Sequence, residues 1–192
     1  MRKLHYAAAI TSALVLSTSA TAGFFDLTLA PYVGASIGQS SADITCPAAT
    51  SCDDRSLAGK VYGGLEVNEY ISMELGYANL GTFDYTGAAT GSREAKGLTV
   101  QVVGTYVLNP SITLIGKGGF GILNTKVHQT TPVLDVGDTD LEWSMGLGGQ
   151  YNFTKSVGLR LEWERYHKVG SPAPGTGEVN IDMFTTGLVY KF

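Results

Sequence analysis

Long apolar runs are missing from this chain. Past the N-terminus, nothing in its 192 residues is apolar over the ~18 positions a spanning helix requires, which excludes a helical membrane protein. Cationic excess is missing too. The formal net charge is −4 and the pI about 5.3, which gives no electrostatic reason to expect nucleic acid as a partner. Cysteine is scarce, with only Cys46 and Cys52, and two thiols with no histidine nearby make a poor metal site. Of the three histidines, His5 lies near the N-terminus, and His128 and His167 have no ligand-type neighbour at useful spacing. There is no G-x-S-x-G nucleophile elbow. No catalytic residue, cofactor or metal is expected.

What the sequence does have is glycine and tyrosine. Glycine takes 25 of 192 positions against a typical ~7%, and tyrosine is the commonest aromatic at 10. Both suit close-packed strands with interfacial belts. The N-terminus reads as a secretory signal over residues 1–22. Arg2 and Lys3 precede a short apolar core from Tyr6 to Leu16, and Ala20-Thr21-Ala22 forms an A-x-A cleavage site. The mature domain is then 23–192, starting at Gly23. An exported chain meets an oxidising compartment, so Cys46 and Cys52 are expected to form a disulfide pinning a loop.

The mature chain alternates with period 2. Eight strands are predicted: Leu29 to Gln39, Leu57 to Val67, Ile71 to Leu80, Gly97 to Val107, Ser111 to Leu123, Leu141 to Asn152, Ser156 to Tyr166 and Val179 to Phe192. Short turns sit at Asn68-Glu69, Leu108-Asn109-Pro110 and Phe153-Thr154-Lys155. Long polar segments sit between: Ser40 to Ser56, Gly81 to Lys96, Asn124 to Asp140 and His167 to Glu178, read as solvated loops. In the seventh strand Val157, Leu159, Leu161 and Trp163 share one face, and Gly158, Arg160, Glu162 and Glu164 the other. A soluble barrel would have to bury those three charges in its core. Turning the apolar face to lipid and the charged face to a polar lumen resolves the conflict, and unpaired backbone in lipid demands closure. The expected fold is therefore all-β, an eight-stranded antiparallel up-and-down transmembrane β-barrel in the outer membrane of a Gram-negative bacterium. The last strand alternates through Phe184, Thr186, Leu188, Tyr190 and Phe192. Tyr190 and the terminal Phe192 look like an assembly signal, read by the barrel insertion machinery after passage with periplasmic chaperones.

Two chemical patterns weigh less than their bland readings. Gly116 to Gly121 matches G-x-G-x-x-G, but no helix pattern follows it to hold a pyrophosphate. Glu162 and Glu164 could pair as glycosidase carboxylates, although neighbours on one strand face are ordinary geometry. Asp138, Asp140 and His167 fall near the outer rim, where a hydrolytic barrel would need them to converge.

The stretch LAGKVYGGLEVNEYISMELGYANLG, Leu57 to Gly81, resembles the second and third strands of OmpA-type eight-stranded barrels, with the motif GGxxxNxY at Gly63, Gly64, Asn68 and Tyr70. Pro31 to Gly38, Val157 to Trp163 and Gly187 to Phe192 resemble the first, seventh and last strands. The family often carries a peptidoglycan-binding domain after the barrel, and wall anchoring is not expected here because the sequence stops at Phe192. The resemblance implies interior salt bridges, with Glu74 and Arg160 at the positions of one carboxylate–arginine pair and Lys117 at another interior basic position. Alternation independently turns Glu74, Arg160 and Glu162 inward. Two positions depart from the family. A lysine site holds Val103 and its carboxylate partner site holds Gln150, so the bridge said to exchange partners on opening is expected to be lost. The expected role is structural and surface-interacting, with outer-membrane lipid as the surroundings and an extracellular ligand on the loops. The alternatives are a narrow pore for ions or small solutes and a loop-borne adhesin.

Overall fold

The computed structural model describes residues 29–44, 50–87, 90–131, 133–172 and 177–192. The expected signal segment and Cys46 lie outside them. Every element among the described residues is a strand: β1 (Ala30–Ala42), β2 (Thr50–Cys52), β3 (Arg55–Glu66), β4 (Ile71–Gly87), β5 (Thr90–Asn109), β6 (Ile112–Thr131), β7 (Val133–Asn152), β8 (Val157–Val169) and β9 (Val179–Lys191). Each long strand pairs antiparallel with its chain neighbours, and β1 closes the ring against β9. β2 is a short addition to the end of β4. The eight-stranded closed barrel expected from alternation is the fold.

One device makes all three short turns. Asn68 Oδ1 accepts the N–H groups of Tyr70 at 2.9 Å and Ile71 at 2.8 Å. Asn109 Oδ1 accepts those of Ser111 and Ile112, both at 2.9 Å. Thr154 Oγ1 accepts those of Ser156 at 3.2 Å and Val157 at 2.9 Å. In each, a short polar side chain stands in for a backbone acceptor and reverses the chain within a few residues. These turns share one end with Ala30 and Lys191, the periplasmic end of a barrel of this kind.

The opposite end departs from expectation. Gly81 to Lys96 and Asn124 to Asp140 are not loops. β4 runs on to Gly87 and β5 starts at Thr90, while β6 reaches Thr131 and β7 starts at Val133. Two physical facts hid this. The threonines at 82, 86, 125, 130 and 139 are β-branched strand formers as well as loop residues. A register shift also falls between Asn79 and Gly81, where Gly81 has φ +95 and donates its N–H to Asn79 Oδ1 at 3.0 Å. A β-carbon there would meet Ser56 Oγ at 2.4 Å and Leu57 O at 2.7 Å, so only glycine fits. Past this bulge the inward face moves from even to odd positions, and Phe83 becomes buried while Asp84 points out.

A sharp line crosses the outer wall. Tyr77, Leu98, Ile122 and Leu141 are successive register partners on β4 to β7, all outward. Two residues higher, the outward partners are Asn79, Lys96, Asn124 and Thr139. On β8 and β9, Trp163 and Phe184 sit below Arg165 and Asp182 in the same way. Apolar below and polar above is the edge of the lipid. At the other end Tyr70, Tyr106, Tyr151, Phe153, Tyr190 and Phe192 are exposed and form the periplasmic aromatic girdle. Above the upper line, β6 from Asn124 to Thr131 alone gives a ribbon roughly 20–25 Å long.

Candidate functional site: the lumen and the sheet above it

Six charged side chains meet in the periplasmic half of the lumen, three of each sign. Alternation puts Glu74 on β4, Lys117 on β6, and Arg160, Glu162 and Glu164 on β8 inside the wall, and the tilt of the strands brings them level. Arg160 Nη1 lies 2.5 Å from Glu74 Oε1 and 3.7 Å from Glu162 Oε1. Lys117 Nζ lies 2.8 Å from Glu74, 2.6 Å from Glu162 and 3.4 Å from Glu164. The sixth member is Lys60 on β3. It meets Glu162 Oε2 at 2.6 Å and also pairs with Glu164. Sequence reasoning did not single out Lys60. The signal was present, since it lies between the outward Gly59 and Val61 on a strand whose other even positions, Ala58 and Tyr62, are buried.

Val103 and Gln150 occupy the positions expected to break the second bridge. Val103 is buried opposite Lys117 in register. Gln150 accepts Arg160 Nε–H at 3.1 Å and donates to Asn152 Oδ1 at 2.6 Å. Lys60 thus supplies a cation that Val103 cannot, one strand pair away, and the balance of charge is kept. Every member is buried, so the cluster is stable only as a set. A buried charge without its partner costs several kcal/mol.

Aromatic rings floor the cluster. Tyr32 Oη donates to Glu74 Oε1 at 2.9 Å. The Tyr62 ring has Lys60 Nζ at 5.1 Å, Arg160 Cζ at 5.2 Å and Lys117 Nζ at 5.6 Å from its centre, a cation–π contact on each. Both tyrosines are seated on glycine. Tyr32 lies opposite Gly64 and Tyr62 opposite Gly34, and a β-carbon on either glycine would stand inside the facing ring, at 2.2 and 2.4 Å. This is the physical use of Gly64 in the GGxxxNxY motif. Asn68 of the same motif makes the first turn, and Tyr70 joins the girdle.

The extracellular half of the lumen departs from the expected polar interior. Leu80, Phe83, Leu123, Tyr166, Val169, Ile181 and Met183 are packed there with Ala42, Ala58, Ala78 and Ala95, all buried. Tyr166 joins the two halves, its ring in the apolar layer and its Oη donating to Glu164 Oε2 at 2.7 Å. An eight-stranded barrel has room for side chains and little else, and here they fill it.

The other sequence candidates separate. Gly116 to Gly121 lies within β6, with Lys117 pointing into the lumen. Asp138 and Asp140 share the inward phase of β7, whereas His167 stacks on the outward Trp143 at 3.6 Å and 6°. The three do not converge. His128 is exposed beside Asp135, at 3.2 Å. Among the described residues no group of three or more metal-type ligands forms. Cys52 is disulfide-bonded. Tyr190 and Phe192 meet edge-to-face at 5.1 Å on the outer surface.

Comparison with known proteins agrees with this geometry. A family model described as an outer membrane protein beta-barrel domain matches residues 8–192. Outer membrane protein A of Shigella flexneri is 25% identical over 167 residues, covering 84% of this chain and 48% of that protein. That of Klebsiella aerogenes is 26% identical over 144 residues, covering 72% and 40%. The chain therefore spans about half the length, or less, of these relatives. Among solved structures, Neisserial surface protein A superposes with a TM-score of 0.66 at 14% identity, over 84% of this chain and 97% of that one. Ail, the attachment invasion locus protein of Yersinia pestis, superposes with a TM-score of 0.54 at 15% identity, over 85% and 97%. With a lipid-facing belt, a closed ladder and a family match across the barrel, this chain belongs to the outer membrane protein β-barrel family and resides in the outer membrane of a Gram-negative bacterium.

Proposed function

We propose that this protein is a closed scaffold, which holds a stiff β-sheet above the lipid and presents it to the outside of the cell. The observation that carries this reading is the lumen. A neutral ionic cluster and an apolar plug are stacked in series along its axis, while four strands continue in register past the lipid line. A filled interior favours the structural and surface-interacting role over a pore. The outward direction of His167, away from Asp138 and Asp140, favours a non-catalytic role. Residues 1–22 serve export, and Tyr190 and Phe192 serve recognition by the insertion machinery. Truncation of Phe192 would test that last role through the fraction of chain assembled.

The test of the scaffold reading is conductance. The full chain, refolded and inserted into a planar bilayer, is expected to give no resolved current steps. Reproducible channel openings at modest voltage would overturn the reading in favour of a pore.

A further inference from the structure

The lipid-facing wall is not uniformly ridged. Between β9 and β4 two neighbouring strands carry small outward residues, Ala35 on β1 and Gly59 on β3. They floor a groove of about 700 Å³ whose sides are Leu57, Val61, Tyr77 and Leu188. Gly59 keeps the floor low, because a β-carbon there would press on Ser36 O at 2.9 Å. These residues belong to the outward apolar band, so what fills the groove is hydrocarbon.

At its upper end the groove meets a charge. Arg55 stands exposed on the outward face of β3, two residues above Leu57 and four above Gly59, about 13 Å along the strand from the floor. Asp53 Oδ1 accepts its backbone N–H at 3.2 Å. The guanidinium itself makes no hydrogen bond or ion pair among the described residues. Other outward cations beside the lipid line are taken: Lys96 Nζ lies 2.6 Å from Glu94, and Arg165 Nη1 lies 3.7 Å from Asp182. Across the ladder Arg55 faces Ser41, and the acid beyond Ser41 is that same Asp182, which also accepts Trp163 Nε1–H at 3.1 Å.

An arginine fork matches phosphate geometry, and the headgroup layer lies just outside the hydrocarbon of a bilayer. A lipid therefore offers both parts at once, an acyl chain for the groove and an anion for its upper end. A second copy fits less well, since packing groove to groove about a two-fold axis along the bilayer normal would bring two Arg55 side chains together. We propose that the groove between β9 and β4 is a lipid site of the extracellular leaflet, which takes one acyl chain over Ala35 and Gly59 and the headgroup phosphate on Arg55. A second depression, of about 640 Å³, lies over Gly118 between Val102, Phe120, Trp143 and Met145. The polar residues above it are Asn124, Thr139 and Lys96, which Glu94 already holds, so it serves as an internal control. The site is on the wall, and it stands apart from whether the lumen conducts.

The experiment is native mass spectrometry of the full chain, folded in detergent micelles and titrated with dimyristoylphosphatidic acid. One lipid per barrel is expected to be retained. Dimyristoylglycerol, which lacks the phosphate, is expected to bind at least about ten-fold more weakly. Inorganic phosphate, which lacks the chains, is expected not to displace the lipid. Arg55→Gln is expected to weaken retention about ten-fold. Ala35→Phe fills the groove from an exposed position and is expected to weaken it by a similar factor. Gly118→Phe fills the control depression and is expected to change nothing. The mobility of unheated samples on gels shows that each variant is folded. Retention unchanged by either Arg55→Gln or Ala35→Phe, equal loss on Gly118→Phe, or a lipid-free dimer that Ala35→Phe breaks would overturn the proposal. Channel currents would defeat the scaffold reading and leave this site untouched.

Discussion

The two halves of this lumen solve one problem by opposite means. Both must fill a narrow tube so that the wall does not collapse. The periplasmic half uses six charges, each of which needs its partners. The extracellular half uses mainly apolar side chains, each of which needs only volume, beside the buried Arg93 and Glu142. Ionic members gain from specific pairing and suffer badly when one is left alone. Apolar members lose in proportion to the cavity created. The difference predicts how each half responds to change, and three sets of substitutions bring it out.

The largest effect is expected in the ionic half. Arg160→Met strands part of the charge on Glu74 and Glu162 and should cost about 3–5 kcal/mol of stability. Adding Glu74→Gln removes the acid that Arg160 holds at 2.5 Å. The double variant should therefore be more stable than the sum of the two single changes implies. Urea titration in detergent, read by the mobility of unheated samples on gels, measures all three. Additive costs would mean that the charges act as mere filling, and the contrast between the halves would vanish.

A smaller, graded response is expected in the apolar half. Phe83 is fully buried past the Gly81 bulge. Phe83→Ala should cost about 3–4 kcal/mol through lost contact and a residual cavity, and Phe83→Leu less than about 1.5. The same titration checks the order. A leucine variant as unstable as the alanine one would show that ring shape, and not volume, is what the plug requires.

The contrast also explains what could be read in advance. Alternation reports a face only where the two faces differ in polarity. In β8 the run Leu159 to Glu164 sets apolar against charged, so Arg160, Glu162 and the closed topology were legible. In β9 Ile181 and Met183 point in while Phe184 points out, and in upper β4 Leu80 points in just above the outward Tyr77. With both faces apolar, the period carries no direction, and the plug could not be seen. The hairpins above the lipid were hidden by the Gly81 phase change and by threonine, which serves strands and loops alike. Lys60 was legible by phase, but the resemblance drew attention to the missing lysine at Val103, and compensation from a different strand has no signature in local pattern.

The smallest effect is expected at the tyrosine floor of the ionic half. Tyr62 offers its ring face to Lys60, Arg160 and Lys117, while its Oη is buried with no hydrogen-bond partner among the described residues. The ring and the hydroxyl thus pull in opposite directions. A buried hydroxyl without a partner carries a desolvation cost, and removing it relieves that cost. The ring contributes cation–π attraction to three desolvated cations and also covers Gly34. Tyr62→Phe keeps the ring and drops the hydroxyl, so stability should change by less than about 0.5 kcal/mol or rise slightly. Tyr62→Leu drops the ring face and should cost about 1–2 kcal/mol. If Tyr62→Phe instead cost more than about 1.5 kcal/mol, Oη would have to be bonded to water. The ionic half would then be partly hydrated, and its charges would be less dependent on one another than the pairing distances imply.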